Sequence, residues 1–284
     1  MGRRAPLVET RPSPGERTRG LLSDRASGQR VEARTHAPDA DLRDVVQDFW
    51  TGRWDLRGQP PHTSVLLGDP SIHLVFEAGG AHGGSRVVGV WTRVWRRVLE
   101  DKGLVRGVKL RPGAARVFLP TAATVFTNRI VPLRDVFGDE VLALEDAVLR
   151  PGGDQEAFAA FADWLRKKRR LAPDNEPSLA IALVARVVAD SEITTVERLA
   201  QVAGVHRRIL QRLFREHVGA TPKQVIRRNR LQEIAKRMEQ GLAPSLAALA
   251  ADLGYADQAH LARDFKSVVG SSPSAFAARF AKPA

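Results

Sequence analysis

Side chains able to do covalent or metal chemistry are sparse and scattered in this 284-residue sequence. It contains no cysteine, which removes disulfides, thiolate metal sites, iron–sulfur clusters and cysteine nucleophiles together. A metal on a β-sheet would need His62, His73 and His82 to converge, and none of the three has ligand-type spacing to another. His73 sits in an apolar run, the usual setting of a satisfied core histidine. Gly79-Gly80-Ala81-His82-Gly83-Gly84 has the glycine density of a phosphate loop or an oxyanion element. No helical pattern follows it and no Gly-x-Ser-x-Gly elbow is present, so a flexible hairpin connection is expected. With no visible acid/base pair, the sequence predicts no catalytic residue, no metal and no cofactor.

What the chain does concentrate is positive charge. It carries 44 Lys+Arg against 32 Asp+Glu, a formal +12. From Thr194 onward there are 15 Lys/Arg and 7 Asp/Glu, so two thirds of the excess lies in one third of the chain. A polyanionic partner would account for this, as would the solvated surface of an arginine-rich protein. No apolar run approaches the ~20 residues of a membrane helix. Met1-Gly2-Arg3-Arg4 has no apolar stretch after it and does not read as an export signal. A cytoplasmic protein without membrane contact is expected.

The elements that must position any site fall into blocks. Residues 1–37, with eight arginines and many Pro, Gly and Ser, read as a loosely docked arm that is either solvated or in contact with nucleic acid. Leu42, Val45, Val46, Phe49 and Trp50 recur at helical spacing and predict a short amphipathic helix. Val65–Leu67, Ile72–Phe76, Arg86–Trp91, Val94–Leu99, Val105–Leu110 and Arg116–Leu119 are short β-type runs between turn signals. They predict a β-rich sandwich or barrel-like domain over 38–150. Residues 151–176 hold a helix from about Asp154 to Lys168 and a linker. Its stripe of Phe158, Phe161, Trp164 and Leu165 suits either a dimer contact or burial in the first domain. The basic run Lys167–Arg170 suits a helix C-terminus and needs no anionic partner. Leu179–Val188, apolar nearly all round, reads as a buried helix.

Residues 194–280 contain a weak internal repeat. Val196, Ala200, Ala203, Gly204 and Val205 match Leu246, Ala250, Leu253, Gly254 and Tyr255 at an offset of 50. Leu210, Arg212, Phe214, Val218, Gly219 and Pro222 match Leu261, Arg263, Phe265, Val269, Gly270 and Pro273 at an offset of 51. The second copy therefore has one extra residue in its turn or at the start of its second helix. Each copy has a capping residue (Thr194 with Glu197, or Ser245), an Ala facing the crossing helix, a Gly for the turn and an apolar plug. Each also has a second helix with one apolar and one polar face. Between the copies Thr221-Pro222 and Gln224 open a long helix that buries Ile226, Ile234, Ala235 and Met238 and ends at Gly241.

Together these features resemble the AraC/XylS family of transcription regulators. Leu210–Gly219 and Leu253–Lys266 are similar to its two recognition helices, Pro222–Ala235 to its linker helix, and Val269–Phe276 to its closing signature. The resemblance implies two helix-turn-helix units in successive major grooves. Carried over position by position, it nominates Arg207, Arg208, Gln211 and Arg212 in the first recognition helix. In the second it nominates Gln258, Ala259, His260 and Arg263. Arg can pair with guanine and Gln with adenine through two bonds, while Ala259 can offer only a methyl contact to thymine. The second helix is therefore expected to lean on phosphates and DNA shape. Arg215, Arg227 and Arg228 are expected to be solvated or phosphate-facing, and His206 and His217 to be surface or packing residues.

Val131–Gly138 and Gly107–Gly113 resemble sensor domains attached to such regulators. The expected fold is thus two-domain: a β-rich (α+β) N-terminal sensor or dimerisation domain, and an all-α C-terminal domain, 177–284, with two helix-turn-helix motifs joined by a linker helix. Double-stranded DNA is the expected partner, with RNA polymerase, a small-molecule effector and a second copy of the chain as further partners. The rival readings are an enzyme domain carrying a DNA-binding tail, and a protein-interaction co-regulator that has lost DNA binding.

Overall fold

A computed structural model describes residues 31–66, 70–80, 83–150, 152–170, 175–242 and 245–278. Among these, eight strands form two sheets. They are β1 (Val31–His36), β2 (Val46–Asp55), β3 (His62–Leu66), β4 (His73–Gly79), β5 (Gly84–Val88), β6 (Trp95–Leu99), β7 (Lys102–Leu110) and β8 (Ile130–Pro132). Six strands lie in the order β1-β2-β7-β4-β5-β8, and β3 pairs with β6 in a separate ribbon; all pairings are antiparallel. The Gly79–Gly84 stretch does connect a hairpin, β4 to β5. His82 lies outside the described residues.

Alternation along the strands gives the large sheet two different faces. Leu74, Phe76, Phe49 and Val108 point to a core covered by helices, whereas Val75, Trp54, Val88 and Val105 pack with Leu99 of the β3–β6 ribbon. On the ribbon side buried Glu77 accepts hydrogen bonds from Arg86 of β5 and Arg97 of β6, and Arg97 lies over the Trp54 ring at 5.5 Å. One carboxylate thereby ties the ribbon to the sheet.

Three expectations for this region are corrected. The segment around Val46–Trp50 is strand, not amphipathic helix. A register shift between Val46 and Asp48 marks a bulge, and the extra residue turns an alternating pattern into an apparent three-to-four spacing. The predicted arm is not structureless throughout, because Val31–His36 pairs with β2 along its whole length; residues 1–30 lie outside the described part. Arg116–Leu119 is not a strand: Ala115–Phe118 forms the short helix α1, with Ala115, Val117 and Phe118 buried.

The first domain closes with α2 (Leu133–Phe137), α3 (Val141–Leu149) and α4 (Asp154–Lys168). Helix α4 has the bounds its periodicity predicts, but its apolar stripe serves the chain's own core. Phe158 and Phe161 meet Phe49 at 5.2 and 5.9 Å between centroids, and Phe161 meets Phe76 edge-on at 4.9 Å. The stripe is therefore not the dimer contact considered above. At the other end, Asp154 receives Arg106 at 3.0 Å and Arg53 at 2.7 Å, with His36 at 3.6 Å. Arg106, 1% exposed, also donates to the Val148 and Gly152 carbonyls, so the α3–α4 connection is fixed to the sheet. Burial opposes ionisation of Asp154, but hydrogen bonds from His36 and Arg106 and the charge of Arg53 outweigh it and hold its carboxyl well below the usual range. The basic run at the end of α4 is spent locally: Arg166 pairs with Asp39 and Asp41, Lys168 with Glu140 and Arg169 with Asp44.

The remaining helices are α5 (Glu176–Ala189), α6 (Val196–Ala203), α7 (Arg207–Leu213), α8 (Pro222–Glu239), α9 (Leu246–Asp252), α10 (Gln258–Val269) and α11 (Pro273–Ala277). One continuous core runs from the sheet through α4 and α5 into α6, α7 and the start of α8, ending at Ile226. A second begins at Leu231 and takes in the rest of α8 with α9, α10 and α11.

Candidate nucleic-acid interface

Capping fixes where each helix of the repeat starts. Thr195, one residue later than the predicted Thr194, accepts the Arg198 N–H at 3.1 Å and opens α6. Gly204 ends that helix at φ +63, and His206 caps α7 by accepting the Arg208 N–H at its Nδ1, 3.2 Å away. In the second unit Ser245 caps α9, Gly254 turns at φ +67, and Asp257 caps α10 through the His260 N–H at 2.6 Å. One residue separates Gly204 from its following cap and two separate Gly254 from Asp257. The additional residue of the second copy is thus in the turn, before the recognition helix starts. Between the units α8 opens on the Thr221–Gln224 capping box, with Ile226, Ile234, Ala235 and Met238 buried as predicted.

Helical geometry then sorts the candidates. In α7, Leu210, Leu213 and the following Phe214 are buried, so at about 100° per residue the opposite face carries Arg208, Gln211 and Arg212. Arg207 sits on the flank, 3.3 Å from Glu197 of α6. In α10 the buried Leu261, Phe265 and Val268 put Ala259 and Arg263 outward. Gln258 occupies the first turn, and His260 packs edge-on against Tyr255 at 5.2 Å. All eight nominated residues are exposed. A groove of about 550 Å³ between the two units is lined by Glu197, Arg207, Lys223, Tyr255 and His260, among others.

Two arginines expected to be solvated or phosphate-facing are committed elsewhere. Arg227 donates to Asp264 of α10 at 2.6 Å and to Ser267 Oγ at 2.6 Å. Arg228 is buried and donates to the Trp91 carbonyl of the first domain at 2.8 Å. Arg215 is exposed and pairs with Glu216. The Asp264 carboxylate also accepts from Tyr255 Oη at 2.9 Å, and the Arg230 guanidinium lies 3.7 Å over the Tyr255 ring. Burial and the neighbouring Asp264 push the Tyr255 phenol above its ordinary value. This cluster clamps the second recognition helix to α8. The first unit is anchored differently: the residues after α7 form a π-turn, Phe214–Val218, and Thr127 donates to the Gly219 carbonyl at 2.6 Å.

Two residues at this surface escape a reading of the sequence. Lys266 is exposed three residues after Arg263, on the same side of α10, and its spacing was the available signal. Glu176 starts α5, 36 positions before Arg212, yet its carboxylate takes both terminal nitrogens of that arginine and lies 3.4 Å from His217 Nε2. Hydrogen bonding from Arg212 lowers the Glu176 pKa. His217 is buried, as a packing residue. Among the described residues no group of three His, Asp or Glu gathers that could hold a metal, and no helix is long and apolar enough to cross a membrane.

Residues 199–279 match a family described as a helix-turn-helix domain. Over 98 residues the chain is 35% identical to a Streptomyces antibioticus protein described as an AraC-like transcription regulator. The C-terminal third is a helix-turn-helix domain of the AraC type. An uncharacterized HTH-type transcriptional regulator of Haemophilus influenzae is 32% identical over 98 residues, and the XylDLEGF operon transcriptional activator of Pseudomonas putida is 34% identical over 82. These matches cover 34, 34 and 28% of this chain and 32, 33 and 26% of the respective relatives, so the chain spans about a third or less of their length in each match. Residues 34–132 match a family described as a domain of unknown function. Among solved structures, ToxT from Vibrio cholerae O395 aligns over 89% of this chain and all of its own at TM-score 0.42 and 12% identity, a loose likeness from which no function is taken.

Proposed function

We propose that the protein is a sequence-specific DNA-binding transcription regulator acting in the cytoplasm. The observation that carries this reading is the pair of recognition helices, each capped, each with a buried apolar face and an exposed face bearing the nominated polar residues. Helix α8, 18 residues long, spans about 27 Å at 1.5 Å per residue, of the order needed to set two units in neighbouring major grooves about 34 Å apart. Arg208, Gln211 and Arg212 read base edges in one groove. Ala259, Arg263 and Lys266 supply a methyl contact and phosphate contacts in the other, with Arg207, Gln258 and His260 at the margins. The first domain senses an effector or joins two copies and passes its state through the shared core to the first unit; contact with RNA polymerase follows from the bound position.

Selection of bound duplexes from a random pool, with the full chain and Arg212→Ala in parallel, tests this. The expected result is two short blocks about one helical turn apart, with one base pair blurred in the variant. Failure of any sequence to enrich, with binding insensitive to salt, would overturn it.

A further inference from the structure

The proposed base-reading arginine of the first unit is already occupied. Arg212 Nη1 donates to Glu176 Oε2 at 2.9 Å and Nη2 donates to Oε1. The two terminal nitrogens that would meet guanine O6 and N7 end-on are thus satisfied by a carboxylate of the same chain. Arg208 and Gln211 beside it have no such carboxylate among the pairs described for the exposed face. Glu176 is not a stray surface acid: it stands at the N-terminus of α5, where a negative charge is favoured, and His217 Nε2 lies 3.4 Å from Oε2, the oxygen that also accepts Arg212 Nη1. The helix end and His217 hold the carboxylate, so Arg212, the more exposed partner, is the movable member of the pair.

Resting on the DNA-binding reading above, we infer that Glu176 is a specificity-determining residue, an internal competitor for Arg212 that sets how much binding a matching base must supply. A correct guanine replaces two charge-assisted bonds with two, and releases the arginine. A wrong base leaves Arg212 on Glu176, where the pair stays neutralised and the arginine adds nothing to binding. The pair thus sets a threshold that a matching base must exceed before Arg212 contributes to binding, and this is the role of an intramolecular decoy.

A four-member cycle on the full-length protein tests it: wild type, Glu176→Gln, Arg212→Ala and the double variant, each titrated with the selected duplex and with a duplex scrambled at the Arg212-dependent base. Glu176→Gln is expected to tighten binding of the selected duplex by about three- to tenfold and of the scrambled duplex by less, so that discrimination rises. In the Arg212→Ala background the same change should move neither Kd by more than about twofold. Equal gains with and without Arg212 would reveal general charge repulsion and overturn the inference, as would weaker binding by Glu176→Gln. Glu176→Asp, which keeps the charge by His217 but withdraws it from Arg212, guards against a folding defect and should shift the same way by less. If wild type discriminates, Arg212→Ala abolishes that, and Glu176→Gln is silent, the DNA reading stands and only the decoy falls. If no member of the cycle prefers the selected duplex, both fall.

Discussion

Replacing Asp264 by Ala would separate the two recognition helices mechanically. Its carboxylate holds Arg227 of α8 at 2.6 Å and the Tyr255 hydroxyl at 2.9 Å. Arg227 is more than a third exposed, so water recovers part of its hydration and the lost pair costs about 1 kcal/mol. Tyr255 is buried, and stranding its hydroxyl costs about 1–3 kcal/mol. The sum, about 2–4 kcal/mol, falls on the second core alone, because the first ends at Ile226. Urea unfolding followed by far-UV circular dichroism should show an early transition of that size. Selection from a random duplex pool under native conditions should return the block read by α7 intact and the block read by α10 degraded or variably spaced. Loss of both blocks together, or a stability change below about 0.5 kcal/mol with both blocks unchanged, would refute the claim that this clamp orients α10 independently of α7.

Asp154→Asn leaves Arg106 buried without its anion and should cost about 3–5 kcal/mol in urea titrations followed by tryptophan fluorescence. Because folding lowers the Asp154 pKa, the wild-type contribution is complete above the unfolded value near 4, and it fades as pH falls through the lower folded one; the two proteins should converge in stability as acid is added. Phe161→Ala, at a fully buried ring between Phe49 and Phe76, should cost about 3–5 kcal/mol by the same assay. Asp257→Ala removes the cap of α10 and should lose about 1 kcal/mol, with a modest general weakening of DNA binding and no change in the preferred bases. A smaller salt slope in that variant would instead mean Asp257 organises a phosphate contact.

What could be read from the chain depended on how local the determinants are. Capping, periodicity and turn glycines act within a few residues, which is why α4 falls where its apolar spacing puts it and why the Thr221–Gln224 box opens α8. Strands β1 and β2 failed for opposite reasons. Val31–His36 has little apolar signal of its own and is ordered by its partner, while the bulge near Val46 hides the alternation of a genuine strand. The eight nominated residues are all exposed on or beside the recognition helices because a helix's outer face follows from its inner one. The fates of Arg227, Arg228 and Arg212 were not legible: Asp264, Trp91 and Glu176 are 37, 137 and 36 positions away, and only the tertiary fold brings them within reach.

The two cores divide the molecule in a place its sequence repeat does not. Copies that look like equal siblings have different owners: the first shares the core of the β-rich domain, and the second has a core of its own that this domain touches at Val94. Excising the AraC-type third, even with α5, would therefore cut through packed side chains, stripping α5 and the turn after α7 of the α1 turn and Ala123 against which they rest. It also means that a push on the β-rich domain reaches one reading head through a shared core and the other through α8 and the narrower contact at Val94. The spacing between the two heads is then the quantity a signal can tune, without either recognition surface changing its chemistry.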